Sequence, residues 1–311
     1  GILALLDLHL TCIVIRQISV QFVHAAALML LIQVRIYLEG GGNIGVAHLE
    51  FFKTREGILQ EKSQMIQDMK AGGSIILNGD DDLLSQMGPV KGASPVFFGT
   101  GDGNQFRADG IEPLGLRGTA CNIHLPDGSS FPVIVPLPGA HMISNALAGA
   151  AVGYTMGLSA EEIKAGIEGL PSMPGRNNII KTDRLIILDD CYNANPISTK
   201  AAIDVLSMAI GRKVAILGKM GELGSDECAL HREVGTYCAK KGIDVVCGIG
   251  DLAKHLVEGA STDSTVETHW FESKADFLAE MKDIIQPGDN VLVKASHGMW
   301  FPELVESLQS F

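Results

Sequence analysis

The fold of this chain is decided by the stretch Leu188-Asp189-Asp190-Cys191-Tyr192-Asn193-Ala194-Asn195-Pro196. The apolar run Leu185 to Leu188 predicts a buried strand, and residues 199–210 after it predict a helix. Ligands of open α/β sheets bind outside the carboxyl ends of the strands, so the polar residues of this stretch are candidates for a functional site. A turn whose Asp and Asn side chains cap the following helix explains the stretch equally well.

The alternation of strand and helix continues to the end of the chain. Strands are predicted at residues 185–188, 213–217, 245–249, 268–271 and 290–294, with helices near 197–210, 228–241, 251–259 and 273–285. This order is typical of a doubly wound, mostly parallel sheet of the Rossmann-like kind. We therefore predict an α/β fold class with such a sheet in the second half of the chain.

The preceding residues also follow an α/β pattern. A helix is predicted at residues 55–69, a strand at 74–77, short Gly-punctuated β runs within 92–137, and helices at 142–156 and 160–170. Pro171, Pro174 and Gly175 then mark a boundary. We predict domains at residues 43–174 and 175–311, preceded by an apolar segment at residues 1–42.

Composition and charge exclude several classes of protein. The 311 residues suffice for two domains, at roughly 150 residues each. The net charge of −12 argues against nucleic acid as a partner, because phosphate backbones bind basic surfaces. Six cysteines without a Cys-x-x-Cys pair favour reduced thiols in a cytoplasm over a disulfide framework or a zinc site.

The first 38 residues differ from the rest because they carry only three formal charges, at Asp7, Arg16 and Arg35. The uncharged span of residues 17–34 is long enough to raise the possibility of a membrane-associated helix. Glutamine, serine and histidine side chains interrupt that span, and no basic region or cleavage site of a signal peptide is present. A membrane span is therefore not favoured. The alternatives are a buried soluble segment and a non-native start of the reading frame.

Four segments together resemble one enzyme family, the Mur ligases. They are Asn43-Ile44-Gly45-Val46-Ala47-His48-Leu49-Glu50-Phe51, Pro138-Gly139-Ala140-His141 continuing to Asn145-Ala146-Leu147-Ala148, Asp189 to Pro196, and Leu217-Gly218-Lys219-Met220-Gly221-Glu222-Leu223-Gly224. The resemblance runs from about residue 43 to the end of the chain. It implies part of the central ATP-binding domain of these enzymes, followed by their Rossmann-like ligase domain.

The resemblance also implies a reaction and its substrates. Mur ligases use ATP and Mg²⁺ to form an amide bond in peptidoglycan precursors through an acyl phosphate. The third and fourth segments favour the member that joins D-alanyl-D-alanine to UDP-N-acetylmuramoyl-tripeptide. A monomeric cytoplasmic enzyme is the form that this resemblance implies. Positioning and cation clamps carry most of the catalysis of such phosphoryl chemistry.

The resemblance assigns five site residues in the first predicted domain. His48 matches a histidine that helps to hold magnesium, although Mg²⁺ prefers oxygen and a structural histidine is the alternative. Lys62 aligns with a lysine that is carbamylated to contact the metal, and a solvated helix lysine is the alternative. His141 and Asn145 are assigned to the adenine. Asn78 is a nucleotide candidate that a capping turn explains equally well.

In the second predicted domain, three residues are assigned to the nucleotide. Arg176 lies where the family contacts phosphate at the hinge between domains, and a solvated linker charge is the alternative. Asp190 matches the acidic residue that meets the nucleotide from this domain and is also a catalytic candidate. Tyr192 is assigned to nucleotide binding. Catalysis then depends on closure of one domain onto the other.

Substrate binding is assigned to side chains in two segments of the second domain. Asn193, Asn195 and Ser198 hold the loop or touch the amine substrate, and the sequence does not separate these roles. In the slot that usually reads Lys-Gly-Ser-Arg, this chain has Lys294-Ala295-Ser296-His297. Lys294 and Ser296 remain candidates, but a contact made by arginine is weakened because histidine is shorter and mostly neutral.

The sequence contains no G-x-x-x-x-G-K-[ST] phosphate loop. The backbone cradle and lysine of that motif are needed to hold phosphates. We therefore expect an incomplete copy of such a ligase, with weak ATP binding and no turnover by the chain alone. The alternatives are a non-catalytic nucleotide-binding remnant and an interaction module.

Overall fold

The computed structural model describes residues 54–67 and 73–311. The helices are α1 Arg55–Gln67, α2 His141–Thr155, α3 Ala160–Glu168, α4 Pro196–Ser207, α5 Glu227–Lys240, α6 Ala253–Ala260, α7 Lys274–Ile284 and α8 Pro302–Gln309. The strands are β1 Ile75–Asn78, β2 Pro95–Gly99, β3 Phe106–Pro113, β4 Thr119–His124, β5 Ser130–Val135, β6 Asn178–Lys181, β7 Ile186–Asp189, β8 Lys213–Leu217, β9 Val245–Ile249, β10 Glu267–Phe271 and β11 Asn290–Lys294.

The first sheet has five strands in the order β1-β2-β3-β4-β5. The pairs β1–β2 and β2–β3 are parallel, whereas β3–β4 and β4–β5 are antiparallel hairpins. Helices α2 and α3 cover this sheet, and their apolar residues share one core with β3, β4 and β5. Residues such as Ile143 and Leu147 of α2 are essentially inaccessible to solvent in that core.

The second sheet has six strands in the order β10-β9-β8-β11-β7-β6, all parallel except the edge strand β6. Its central strands read as continuous apolar runs because helices cover both faces. One core lies against α7 and α8, and the other against α4, α5 and α6. The predicted α/β class and the doubly wound sheet are confirmed.

Two elements were not predicted from the sequence. Strand β6 has only four residues and pairs antiparallel with β7 through a tight turn, so it gives no periodic signal of its own. Helix α8 begins at a proline and has eight residues. Both elements pack on a sheet that the longer elements had already defined.

The predicted apolar segment at residues 1–42 lies outside the described residues, as does its possible membrane helix. Among the helices at 54–67 and 73–311, none is both long and apolar enough to cross a bilayer.

Candidate functional site

The two adjacent carboxylates at the end of β7 have different roles. Asp189 is buried and accepts hydrogen bonds from the Gly175 N–H at 2.7 Å and the Asn178 side-chain amide at 3.4 Å. The Cys191 thiol donates to its other oxygen at 3.0 Å. Burial, with the neighbouring Asp189 carboxylate, raises the pKa of Cys191 well above its usual range. Asp189 is therefore a structural residue that fixes the start of the second sheet, and Cys191 stays a thiol.

Asp190 forms a nearly buried ion pair with Lys294 at the end of β11. The Lys294 ammonium lies 2.6 Å from Oδ2 of Asp190, with side-chain exposures of 3% for the lysine and 16% for the aspartate. It also donates to the carbonyl oxygens of Asp190 at 3.3 Å and Asn193 at 2.8 Å. These three contacts use the three donors of the ammonium. Lys294 thus holds the loop after β7 in place.

Arg176 and Tyr192 form a stacked pair beside this ion pair. The Arg176 guanidinium carbon lies 3.9 Å from the centroid of the Tyr192 ring, and the Tyr192 N–H donates to the Gly175 carbonyl at 3.0 Å. The Arg176 residue is 6% exposed, whereas Tyr192 is 45% exposed. The alternative of a solvated linker charge for Arg176 is therefore wrong. A buried guanidinium on an aromatic face is rigid enough to bind an anion.

Asn177 connects the two sheets at this point. Its backbone N–H donates to Oδ1 of Asp190 at 2.9 Å, and its side-chain amide donates to the Pro138 carbonyl at 2.6 Å. The residue has a φ of +47°, a left-handed conformation in which asparagine is enriched. Sequence reasoning missed this residue, although an asparagine beside the predicted Pro-Gly boundary was a usable signal.

The segment around Pro138 leads directly into helix α2. Gly139 has a φ of +108°, and a β-carbon there would lie 2.6 Å from the His141 ring and 3.0 Å from Val205 of α4. Only glycine fits between the two units here. His141 begins α2, and one turn later the Asn145 amide donates to the Met142 sulfur at 3.5 Å. Their adenine contacts stay predictions. The contact that joins this segment to the second unit is the hydrogen bond from Asn177 to the Pro138 carbonyl.

The three polar residues after Tyr192 hold their own loop. Asn195 and Ser198 form a reciprocal capping box at the start of α4, with the Ser198 N–H 2.8 Å from Oδ1 of Asn195. The Asn193 side chain accepts the Ala194 N–H at 2.8 Å. The sequence left loop-holding and substrate contact open for these residues. The structure shows the loop-holding role, and substrate contact stays a prediction.

A second loop, residues 218–224, follows β8 at the same edge of the sheet. The Lys219 carbonyl accepts the Ser296 hydroxyl at 2.7 Å and the Ser296 N–H at 2.9 Å. The Met220 N–H donates to Nε2 of His231 at 2.9 Å, while Nδ1 of His231 lies 2.6 Å from the Glu227 carbonyl. Ser296 is therefore part of the support of this loop. Its substrate contact stays a prediction.

His231 is neutral in this arrangement. Its Nε2 accepts a backbone N–H, so Nδ1 must carry the ring proton and donate to the carbonyl. The residue is fully buried, and burial lowers the pKa of His231. The sequence analysis did not single out His231, because its partner is a backbone group of a loop eleven residues away.

Asn78 lies at the carboxyl end of β1. It is buried, and its side-chain oxygen accepts the Asp80 N–H at 2.9 Å, as expected of a capping turn. Asp80 in turn accepts hydrogen bonds from the Thr100 and Gly101 N–H groups. Burial alone would raise the pKa of Asp80, but these hydrogen bonds outweigh it and lower the pKa. The nucleotide role of Asn78 stays a prediction.

The predicted metal site is not described by the structure. His48 lies outside the described residues. Lys62 falls within α1, and its side chain is also outside what is described. No cluster of three or more His, Cys, Asp and Glu residues that could hold a metal occurs within 54–67 and 73–311. The magnesium assignment therefore stays a prediction.

Comparison with known proteins identifies the class to which this fold and site belong. Residues 42–153 match the Mur ligase middle domain, and residues 175–297 match the glutamate ligase domain of Mur ligases. The chain belongs to the Mur ligase family. Among its relatives are the UDP-N-acetylmuramoyl-tripeptide–D-alanyl-D-alanine ligases of Bacillus subtilis and Escherichia coli, 34% and 35% identical over 271 and 272 residues.

The alignments cover 86% of this chain but only 58% and 59% of those two relatives. Solved structures also match most of this chain while less than two thirds of their own length is covered. A MurF structure from Acinetobacter baumannii matches with a TM-score of 0.77 and 31% identity, over 86% of this chain and 59% of that one. A MurF ligase from Thermotoga maritima in complex with ADP matches with a TM-score of 0.73 and 25% identity, over 86% and 60%.

Proposed function

We propose that this chain forms part of a ligase that adds D-alanyl-D-alanine to UDP-N-acetylmuramoyl-tripeptide at the expense of ATP. Relatives that carry this activity in their names align over 86% of the chain. In this proposal the first sheet and α2 contact the nucleotide from one side. The second sheet closes on the nucleotide and presents the amine substrate.

The observation that carries the proposal is the double contact of Asn177. One residue donates to Pro138 of the first unit and to Asp190 of the second. The residues assigned to adenine follow Pro138 by three and seven positions, and those assigned to phosphate flank Asn177 and Asp190. This contact supports a nucleotide site to which two groups of residues, distant in sequence, both contribute.

The residues present fit an adenine nucleotide chemically. Arg176 is a buried guanidinium whose planar donors suit phosphate oxygens, and the amide of Asn145 suits a purine edge. The half-exposed ring of Tyr192 offers an aromatic surface. ATP, when bound, supplies the phosphoryl group that activates the carboxylate of the tripeptide.

The protein's own contribution is to position and neutralise charge. Arg176, held on Tyr192, binds phosphate oxygens in a fixed orientation. Lys294 and the Asn177 N–H fix Asp190, so the loop from Asp190 to Asn195 keeps one conformation as the amine approaches. Preorganised donors of this kind act without reorganisation during the reaction.

The remaining assignments belong to the same proposal. His48 and a carbamylated Lys62 would hold Mg²⁺. The enzyme would act as a monomer in the cytoplasm, where ATP and the nucleotide-linked precursor are found.

Nucleotide binding by the chain tests this proposal. We expect ligand-observed NMR to detect weak ADP binding that Arg176→Gln weakens about tenfold or more, because charged hydrogen bonds contribute roughly 1.5–3 kcal/mol. Arg184→Gln is the matched control, since Arg184 is an exposed arginine of the same unit that contacts the chain terminus. Equal ADP affinity of Arg176→Gln and the unaltered chain would contradict the proposal.

A second candidate function is nucleotide binding without ligase turnover. It requires only the contacts described above, Arg176 stacked on Tyr192 and Asn177 joined to Asp190, and no reaction with the peptides. Phosphate release with ATP and both peptide substrates separates the two. Release that depends on both peptides supports a ligase, and ADP binding without release supports the second candidate.

A further inference from the structure

The turn between strands β3 and β4, residues 114–118, is apolar. It is closed by hydrogen bonds from the Leu114 N–H to the Gly118 carbonyl at 2.9 Å and from the Gly118 N–H to the Gly115 carbonyl at 3.3 Å. Leu114 and Leu116 give it two large apolar side chains. Hairpin turns are usually polar because they meet solvent. An apolar turn therefore indicates a surface on which it packs.

That surface is helix α4 of the second unit. Leu116 is partly buried and packs against the core that α4, α5 and α6 form with the second sheet. A β-carbon on Gly115 would lie 3.9 Å from the carbonyl oxygen of Met208, the residue that follows α4. The β3–β4 turn of the first unit thus contributes a side chain to the apolar packing of the second.

The hairpin is shaped to place this turn. The register of the β3–β4 pairing shifts between Asp109 and Glu112, and an irregularity of this kind bends a hairpin. Gly118 has a φ of +114°, and a β-carbon there would lie 2.0 Å from the Val135 carbonyl oxygen. Only glycine therefore allows the chain to enter β4 from the turn at this point.

Two further contacts join the units. The Asn177 side-chain amide donates to the Pro138 carbonyl at 2.6 Å, and a β-carbon on Gly139 would lie 3.0 Å from Val205 of α4. Val205 and Met208 lie about one helical turn apart, so Gly139 and the β3–β4 turn contact neighbouring parts of α4. Units that share a small interface move relative to each other by default. Packing of the turn on α4 restricts this movement.

We propose that the β3–β4 turn is an interunit latch, with Leu116 as the side chain that anchors it on α4. The latch holds the two units in one orientation when no ligand is bound. In that orientation Asn177 reaches both Pro138 and Asp190. It is the resting orientation from which any closure on a nucleotide begins. The inference goes beyond the proposed function and does not require it.

Double electron–electron resonance between spin labels on the two units tests the latch. One label is attached to Cys228, which is exposed, whereas the other cysteines in the described part of the chain are buried. The second label is attached through Ala165→Cys, at an exposed position of α3, and every sample carries Cys12→Ser. Without ligand, the chain that retains Leu116 should give one narrow distribution of distances. Leu116→Ser should broaden it and raise the population of separated units about tenfold or more, because it removes the burial of a leucine side chain.

Two variants serve as controls. Leu116→Met should keep the narrow distribution, because methionine fills a similar apolar volume. Ile134→Ser should keep it as well, since Ile134 is 47% exposed on the same sheet and belongs to no apolar core of the described residues. Circular dichroism shows whether each variant is folded, and Leu116→Ala takes the place of Leu116→Ser if the latter is not.

Three results would overturn the inference. Identical distributions for Leu116→Ser and the chain that retains Leu116 would show that the turn does not hold the units. Equal broadening by Ile134→Ser would show a general loosening of the first sheet instead. A distribution that is already broad without ligand would also refute the latch, and its narrowing on addition of ADP would assign the alignment of the units to the nucleotide. ADP binding by Arg176→Gln is measured separately, so failure of the latch is distinguishable from failure of the proposed function.

Discussion

Replacing Lys294 by methionine should destabilise the second unit strongly. The substitution keeps most of the apolar volume but removes three hydrogen bonds, at 2.6, 2.8 and 3.3 Å, from a side chain that is 3% exposed. It leaves the Asp190 carboxylate, 16% exposed, with the Asn177 N–H but no counter-ion. Breaking a buried pair in this way costs roughly 3–5 kcal/mol of the free energy of unfolding.

Urea unfolding followed by tryptophan fluorescence measures this cost. The chain has two tryptophans, Trp270 and Trp300, and both lie in the second unit, so their fluorescence reports the unit that contains the ion pair. Lys200→Met is the matched control. Lys200 pairs with Glu233 with side-chain exposures of 27% and 58%, and exposed pairs of this kind contribute roughly 0–1 kcal/mol.

The double variant Asp190→Asn/Lys294→Met tests the reasoning. Because it removes both charges, it should be less destabilised than the sum of the single variants, with a coupling of roughly 1–3 kcal/mol. Purely additive effects, or a cost of Lys294→Met no larger than that of Lys200→Met, would refute the conclusion that the pair fixes the loop.

Three further predictions concern stability. His231 is neutral when folded and its pKa is lowered, so the unfolded chain binds more protons below about pH 6.5. The free energy of unfolding should therefore fall as the pH is lowered from 7.5 to 5.5, and the His231→Gln variant should lack the part of this fall that is due to His231. Parallel pH profiles of the unaltered chain and His231→Gln, measured by urea titration, would contradict this expectation. Gly235→Ala should cost roughly 1–3 kcal/mol, because a β-carbon there overlaps the Leu256 carbonyl oxygen. Gly166→Ala, at a helical position with open space around it, should be neutral or stabilising. Similar melting temperatures of Gly235→Ala and Gly166→Ala would contradict the conclusion that close packing requires glycine at position 235. Asn195→Ala should cost about 1 kcal/mol in urea unfolding through loss of the α4 cap, and no change would show that the cap is dispensable.

Much of the fold could be predicted from local sequence patterns. The strands of the second sheet and the helices between them coincide with the predicted elements to within a few residues, because buried parallel strands are short apolar runs with polar ends. Strand β6 and helix α8 were missed, since both are short and are stabilised by packing on elements formed elsewhere. Periodicity cannot reveal elements of that kind.

The site could be predicted only in part. Arg176, Asp190 and Tyr192 come together as their positions at the end of β7 and at the hinge suggested. The loop-holding roles of Lys294 and Ser296 depend on strand β11 lying between β7 and β8. That strand order is a long-range property, so no segment of the sequence contains it.

The sequence by itself determined the class of fold and the family. Apolar strand runs, glycine turns and the four ordered motifs are local patterns, so they can be recognised without knowing which segments pack against each other. Only the tertiary structure decided which carboxylate of the Asp189-Asp190 pair faces the site. Adjacent residues at a strand end point to opposite sides, and which side is the interior depends on what packs there. Gly175 and Asn178 bind Asp189 inside, and Lys294 binds Asp190 at the edge. The same assembly gave Asn177 a position that its local sequence does not indicate.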